Sequence, residues 1–137
     1  MSLYYLDSSA LVKLVRDEPE SASLRAYLAA DDLVSSELAL TEVPRAIRRA
    51  TGREAATLVD RLMRQAEHLF EAVALLPLDR GLLAAAGALA EPALRALDAI
   101  HLATAIDIAP IDAFVGYDER QSAAARLAGL RTVAPGV

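Results

Sequence analysis

Leu3-Tyr4-Tyr5-Leu6-Asp7-Ser8-Ser9-Ala10-Leu11-Val12-Lys13-Leu14-Val15 compresses a strand, a turn and a helix into thirteen residues. Leu3 to Leu6 is a short apolar run of strand type, and Asp7-Ser8-Ser9 then offers side-chain oxygens that can cap the helix from Ala10 to Val15. The same alternation recurs along the chain. Pro19 opens a second helix to about Ala30, and Leu33 to Ser35 reads as a second strand. Glu37 to Ala50 reads as helix, broken by Thr51-Gly52, and Arg53 to Phe70 as a long amphipathic helix with Leu58, Leu62 and Leu69 on one side. Ala72 to Leu78 is the third strand, and Asp79 caps an Ala-rich helix that runs to about Ala90 and is stopped by Pro92. Asp98 opens a further helix through Ile108, and Ala113 to Tyr117 is the fourth strand. Asp118 begins a helix to Ala128, and Arg131 to Val133 closes the series.

Strands separated by helices call for right-handed crossovers and a parallel sheet covered on both faces. The expected fold is therefore α/β, with a central, mostly parallel sheet of four to five strands between helical layers, as one domain over residues 1–137. In such sheets the ligand crevice lies at the carboxyl ends of the strands. Asp7 and Asp118 directly follow strands, so both should open into it. Glu42 lies on the helix after the second strand, and Asp98 starts a helix whose N-terminus can face the same edge.

Composition narrows the function. Hydrophobic residues make up 55% of the chain, yet the apolar run from Leu82 to Ala90 falls well short of the roughly 20 residues that span a bilayer. Asp7 interrupts the N-terminal apolar stretch and no basic residue precedes it, which argues against a signal peptide and for a cytoplasmic protein. Cysteine is absent, which removes disulfides and thiolate metal sites. With a net charge of −5 the chain lacks a broad positive field, so a nucleic-acid substrate needs local basic residues and bound cations. Arg45, Arg48, Arg49 and Arg53 form one such stretch beside Glu42, either as a solvated face or as phosphate contacts.

Singly, each acid has a plain explanation. Asp7, Asp98 and Asp118 can cap helices, with Gln121 completing a capping box for Asp118. Glu42 can pair with Arg45 in solvent while Leu40, Val43 and Ile47 face the core, and Pro44 should kink that helix. Convergence of all four is harder to obtain from capping alone. Carboxylates sharing one crevice raise each other's pKa unless a cation sits among them, and an oxygen-rich set suits Mg²⁺ or Mn²⁺. Such ions activate water and stabilise the leaving oxygen of a phosphodiester. His101 shares a helix face with Asp98, and a packing or supporting role is expected for it rather than ligation.

Four segments carry a resemblance: Tyr5-Leu6-Asp7-Ser8-Ser9-Ala10-Leu11-Val12-Lys13, Thr41-Glu42-Val43, Leu97-Asp98-Ala99-Ile100-His101-Leu102-Ala103-Thr104-Ala105, and Phe114-Val115-Gly116-Tyr117-Asp118-Glu119-Arg120. Together they resemble the PIN-domain ribonucleases of the VapC type, the toxins of type II toxin-antitoxin pairs. The resemblance covers essentially the whole chain. It implies a PIN-like α/β/α sandwich and a Mg²⁺- or Mn²⁺-dependent endoribonuclease. In that family Asp7, Glu42, Asp98 and Asp118 would be the acidic cluster and Ser9 a supporting hydroxyl near the metal. It further implies a homodimer, an RNA substrate and a cognate VapB-like antitoxin that blocks the site. Gly116 departs from the pattern, because many members carry Thr or Ser there, and the missing hydroxyl bears on the role of Asp118.

Two other functions fit the acids in part. One is a non-catalytic binding module in which they cap helices or hold a structural metal. The other is an aspartyl-phosphate receiver or phosphatase, which also places Asp at strand ends; here the only lysine is Lys13, and none follows to pair a phosphoryl group.

Overall fold

The computed structural model describes residues 2–137, and its framework is a five-stranded sheet in the order β3-β2-β1-β4-β5. The strands are β1 (Leu3–Leu6), β2 (Asp32–Ser36), β3 (Ala74–Leu76), β4 (Ala113–Val115) and β5 (Thr132–Val133). All four pairings are parallel, with Tyr5 opposite Val34 on one side and Phe114 on the other. The sheet is thus wholly parallel, and β1 lies at its centre.

Period-two alternation along β1 and β4 sorts the core into two layers. Tyr4, Leu6, Ala113 and Val115 pack on one face with α1 (Ser8–Val15), α2 (Ser21–Leu28), α3 (Ala39–Thr51) and α4 (Ala56–Ala72). Tyr5 and Phe114 pack on the other with Leu102 and Ala105 of α6 (Ala96–Asp107) and Ala124 and Ala125 of α7 (Glu119–Leu127). The remaining helix, α5 (Arg80–Gly87), lies against α6. This is the three-layer α/β/α sandwich that the alternation predicts. No helix among the described residues is long and apolar enough to cross a membrane.

Several elements differ in extent from those expected. α5 ends at Gly87 rather than Ala90, and α2 begins at Ser21 rather than Pro19. α3 runs through Pro44 without a break. The buried residues of α3 are Ala39, Val43, Ile47 and Thr51, a four-residue stride that puts Leu40 48% exposed instead of in the core. α6 starts two residues before Asp98, at Ala96.

Candidate active site

Asp7 leaves β1 directly after Leu6, and its backbone N–H still donates to the Val115 carbonyl of β4 (3.1 Å). It is also the N-cap of α1, where its Oδ1 accepts from the Ala10 N–H (3.0 Å) and the Ser9 hydroxyl (2.6 Å). Ser9 in turn accepts from the Tyr117 N–H (3.2 Å), tying the ends of β1 and β4 together. Both hydrogen bonds to Asp7 end on Oδ1. Oδ2 carries neither of them and packs against Gly116.

Asp118 mirrors this arrangement at the start of α7, with Oδ1 accepting from the Gln121 N–H (3.0 Å). Only half of the expected capping box forms. The Gln121 side chain donates instead to the Asp98 carbonyl (3.3 Å) and so ties α7 to the first turn of α6. Asp98 is not a cap at all: Arg95 holds that position without a side-chain hydrogen bond, and the Asp98 carboxylate stands in the first helical turn. A negative charge is favoured there by the helix dipole, and neither carboxylate oxygen is consumed by the backbone.

Glu42 does not pair with Arg45. Its Oε1 accepts from the Ser8 hydroxyl (2.5 Å) and from His101 Nε2 (2.6 Å), which joins α1, α3 and α6. His101 is 2% exposed, and its Nδ1 lies 2.7 Å from the Tyr5 hydroxyl. Sequence reasoning gave His101 a supporting role but missed its partners. Tyr5 read only as a strand residue and Ser8 only as a cap. The signal available was the alternation of β1, which turns Tyr5 to the α6 face of the sheet.

Charge couples the acids in part: Asp7 with Glu42, and Asp98 with Asp118 and Glu42. Burial holds the Asp7 carboxyl above its ordinary value; the Ser9 and Ala10 hydrogen bonds and His101 pull it down, and Glu42 pushes it up again. Asp98 is also raised, by burial and then by the charge of Asp118, against the opposing charges of Arg95 and His101. For Glu42, burial is outweighed by the hydrogen bond and charge of His101, the Ser8 hydroxyl and Arg49, so its carboxyl lies below the usual range. Arg49 lines an open cleft of about 320 Å³ together with Ser8, Ser9, Lys13 and Glu42.

The donor chemistry fits a hard cation. Both His101 nitrogens are taken by Tyr5 and Glu42, so the free donors are carboxylate oxygens. As the side chains stand, no three of the described His, Asp or Glu residues are grouped so that they could hold a metal ion. Asp7, Glu42 and Asp118 each have one oxygen committed within the protein, while Asp98 has none. Gly116 adds a steric condition: a Cβ there would stand 2.8 Å from Asp7 Oδ2, so the missing side chain makes room for the Asp7 carboxylate. Lys13 is spent elsewhere, on Glu18 (3.3 Å), Glu20 (3.1 Å) and the face of Tyr117 (4.7 Å). It is the only lysine of the chain and is engaged in these pairs, which weakens the aspartyl-phosphate alternative.

Comparison with known proteins bears on the family and the fold. A family profile described as PIN domain matches residues 4–127. Ribonuclease VapC46 of Mycobacterium tuberculosis is 41% identical over 143 residues, covering 98% of this chain and 99% of the relative. Ribonuclease VapC35 of the same species is also 41% identical, over 142 residues and 98% of both chains. Among solved structures, the sarcin-ricin-loop-cleaving toxin VapC20 of Mycobacterium tuberculosis superposes with a TM-score of 0.70 at 20% identity, covering 96% of this chain and 99% of that one. VapBC2 of Rickettsia felis, solved bound to a promoter DNA fragment, superposes with a TM-score of 0.68 at 12% identity, covering 97% and 98%. At those identities the two structures speak to the fold.

Proposed function

This chain belongs to the PIN-domain family, among its VapC-type ribonucleases, and on that footing we propose that it is a metal-dependent endoribonuclease acting as the toxin of a type II toxin-antitoxin pair. What supports the chemistry is the charge coupling of Asp7 to Glu42 and of Asp98 to Asp118 and Glu42, acids from four separate elements, with burial and this repulsion raising Asp7 and Asp98. That is an environment a divalent cation relieves. Asp7 and Asp98 would hold the principal ion, with Glu42 and Asp118 completing the oxygen set. Bound Mg²⁺ or Mn²⁺ would supply the Lewis acidity that activates water and neutralises charge developing on the phosphate.

The protein's own part is positional. Ser9 and the Ala10 N–H fix Asp7 through Oδ1, and neither bond uses Oδ2. Arg49, beside Glu42, stands where a neighbouring RNA phosphate can be drawn in. Hydrolysis adds water across a backbone P–O bond, and the carboxylates of the crevice are the groups placed to take the proton that water gives up. In the cell we place the protein in the cytoplasm as a homodimer, silenced by a VapB-like antitoxin covering the acids.

Asp7→Asn and Asp98→Asn test the assignment. Each should abolish Mg²⁺- or Mn²⁺-dependent RNA cleavage while leaving the circular dichroism spectrum unchanged. Undiminished cleavage by both variants would refute the roles given to these residues. EDTA should silence the wild type and added Mn²⁺ restore it.

A further inference from the structure

Behind the acidic crevice, a line of hydrogen bonds runs from the middle of the core to Glu42. Tyr5 is fully buried at the centre of β1 and stacks on Phe114, ring centroids 5.4 Å apart. Its hydroxyl meets His101 Nδ1 at 2.7 Å, and the two rings stand edge to face at 5.9 Å. On the far side of the imidazole, Nε2 meets Glu42 Oε1 at 2.6 Å, where the Ser8 hydroxyl also donates at 2.5 Å.

The proton order in this line follows from donor capacity. A carboxylate only accepts, so the short contact at Oε1 requires the imidazole proton on Nε2. Nδ1 is the partner of the Tyr5 hydroxyl, which can donate to a bare Nδ1 or accept from a protonated one, so the contact to Tyr5 is kept in either state of the ring. The Ser35 and Thr104 hydroxyls donate to the carbonyls of Leu6 (2.6 Å) and Ile100 (2.6 Å), so neither offers Nδ1 a competing proton. Both hydrogen bonds to Glu42 fall on Oε1. Oε2 makes none, and because no fully buried side-chain oxygen among the described residues lacks a partner, Oε2 reaches solvent.

We propose that Tyr5 and His101 are positioning residues that lock the Glu42 carboxylate by Oε1 and so present Oε2 to the reaction crevice. The inference rests on Glu42 belonging to the nuclease site, but the lock exists without substrate or ion. It assigns a functional duty to a core tyrosine on the central strand, which reaches the crevice only through the histidine. Partners that orient a ligating group in this way typically change metal affinity or activity 10- to 100-fold when removed.

The test uses the full chain. In the metal-free protein without RNA, ¹⁵N NMR of the His101 ring should show a proton on Nε2 and hydrogen bonding at both nitrogens. Tyr5→Phe, which keeps the ring stack, should shift the Nδ1 signal. His101→Leu should lower kcat for RNA cleavage about tenfold or more with KM little changed, and weaken Mn²⁺ binding in calorimetry by a similar factor. His101→Gln, which returns an N–H donor near the Nε2 position, should recover most of both. Folding of each variant is checked by near-ultraviolet circular dichroism. An Nε2 that carries no proton, or folded Leu and Gln variants that behave alike, would overturn the lock. Absence of RNA cleavage by the wild type would instead strike the nuclease reading, leaving the NMR result to judge the lock separately.

Discussion

At Gly116 the absence of a side chain acts on Asp7 rather than on Asp118. The family resemblance marks this glycine as a lost hydroxyl near the last acid. In the structure its vacant side-chain position is taken by the Asp7 carboxylate, with a hypothetical Cβ 2.8 Å from Oδ2 and 3.0 Å from Cγ. Asp7 cannot simply swing aside, because its Oδ1 is held by Ser9 and the Ala10 N–H. Gly116→Ser should therefore displace Asp7, costing about 1–3 kcal/mol of stability and lowering RNA cleavage; urea denaturation and single-turnover cleavage check the two effects, and a fully active, equally stable Ser variant would contradict the packing argument. Asp7 itself carries a stability penalty. Burial raises its folded pKa above the unfolded value, so its favourable contribution is present only below the unfolded pKa and is lost as pH rises through the folded one. In EDTA, Asp7→Asn should melt at a higher temperature than the wild type at neutral pH, and the gap should close as the pH falls toward the unfolded value. A gap that widens on acidification would invert the sign.

At the scale of elements, the strand-helix alternation was legible because the strands are short and α1, α5 and α7 each start on a capping carboxylate, Asp7, Asp79 and Asp118; all five strands lie within or near the expected segments, although α4 runs through Ala72 and leaves β3 only Ala74–Leu76. The site was legible in its members and less so in their manner of holding. Capping and site duty look like alternatives on a single sequence, yet Asp7 and Asp118 cap α1 and α7 with Oδ1 while each keeps a second oxygen. Asp98 escapes capping because α6 begins at Ala96, a boundary set by tertiary packing that no residue there announces. The Tyr5–His101–Glu42 line was invisible because its members lie 59 and 96 positions apart and meet only across the folded sheet. α3 shows the same limit. Pro44 lacks the N–H that would bond the Leu40 carbonyl, yet the helix runs on. What holds it is the buried stripe of Ala39, Val43, Ile47 and Thr51, whose packing outweighs the missing bond. Pro44→Ala restores that bond and should stabilise the protein by about 1 kcal/mol or more in thermal or urea unfolding; a destabilised variant would mean that the proline ring contributes packing worth more than the bond.

For the molecule as a whole, the difficulty is that a chain of net charge −5 is proposed to bind RNA. Long-range attraction cannot come from the overall field, so it must come from a local stripe that survives against it. Arg45, Arg48, Arg49 and Arg53 are all exposed, but the helical period separates them. Arg45 and Arg49 follow Glu42 by three and seven positions and share its face of α3, whereas Arg48 points about a third of a turn away. Arg49 alone is close enough to Glu42 to lower its carboxyl and lines the cleft beside Ser8 and Ser9. A strand of RNA entering the crevice should therefore track Arg45 and Arg49. Each phosphate contact to a single strand contributes about 0.7 to the slope of log affinity against log salt. Arg45→Ala should weaken RNA binding several-fold and flatten that slope by about 0.7, and Arg49→Ala should do the same with an added loss in kcat through Glu42. Arg48→Ala should change neither by comparison. Binding of the catalytically silent Asp98→Asn background, titrated across salt concentrations, separates these cases. Equal effects at Arg48 and Arg45 would mean that the stretch acts as a diffuse charge and that the entry track along the Glu42 face does not exist.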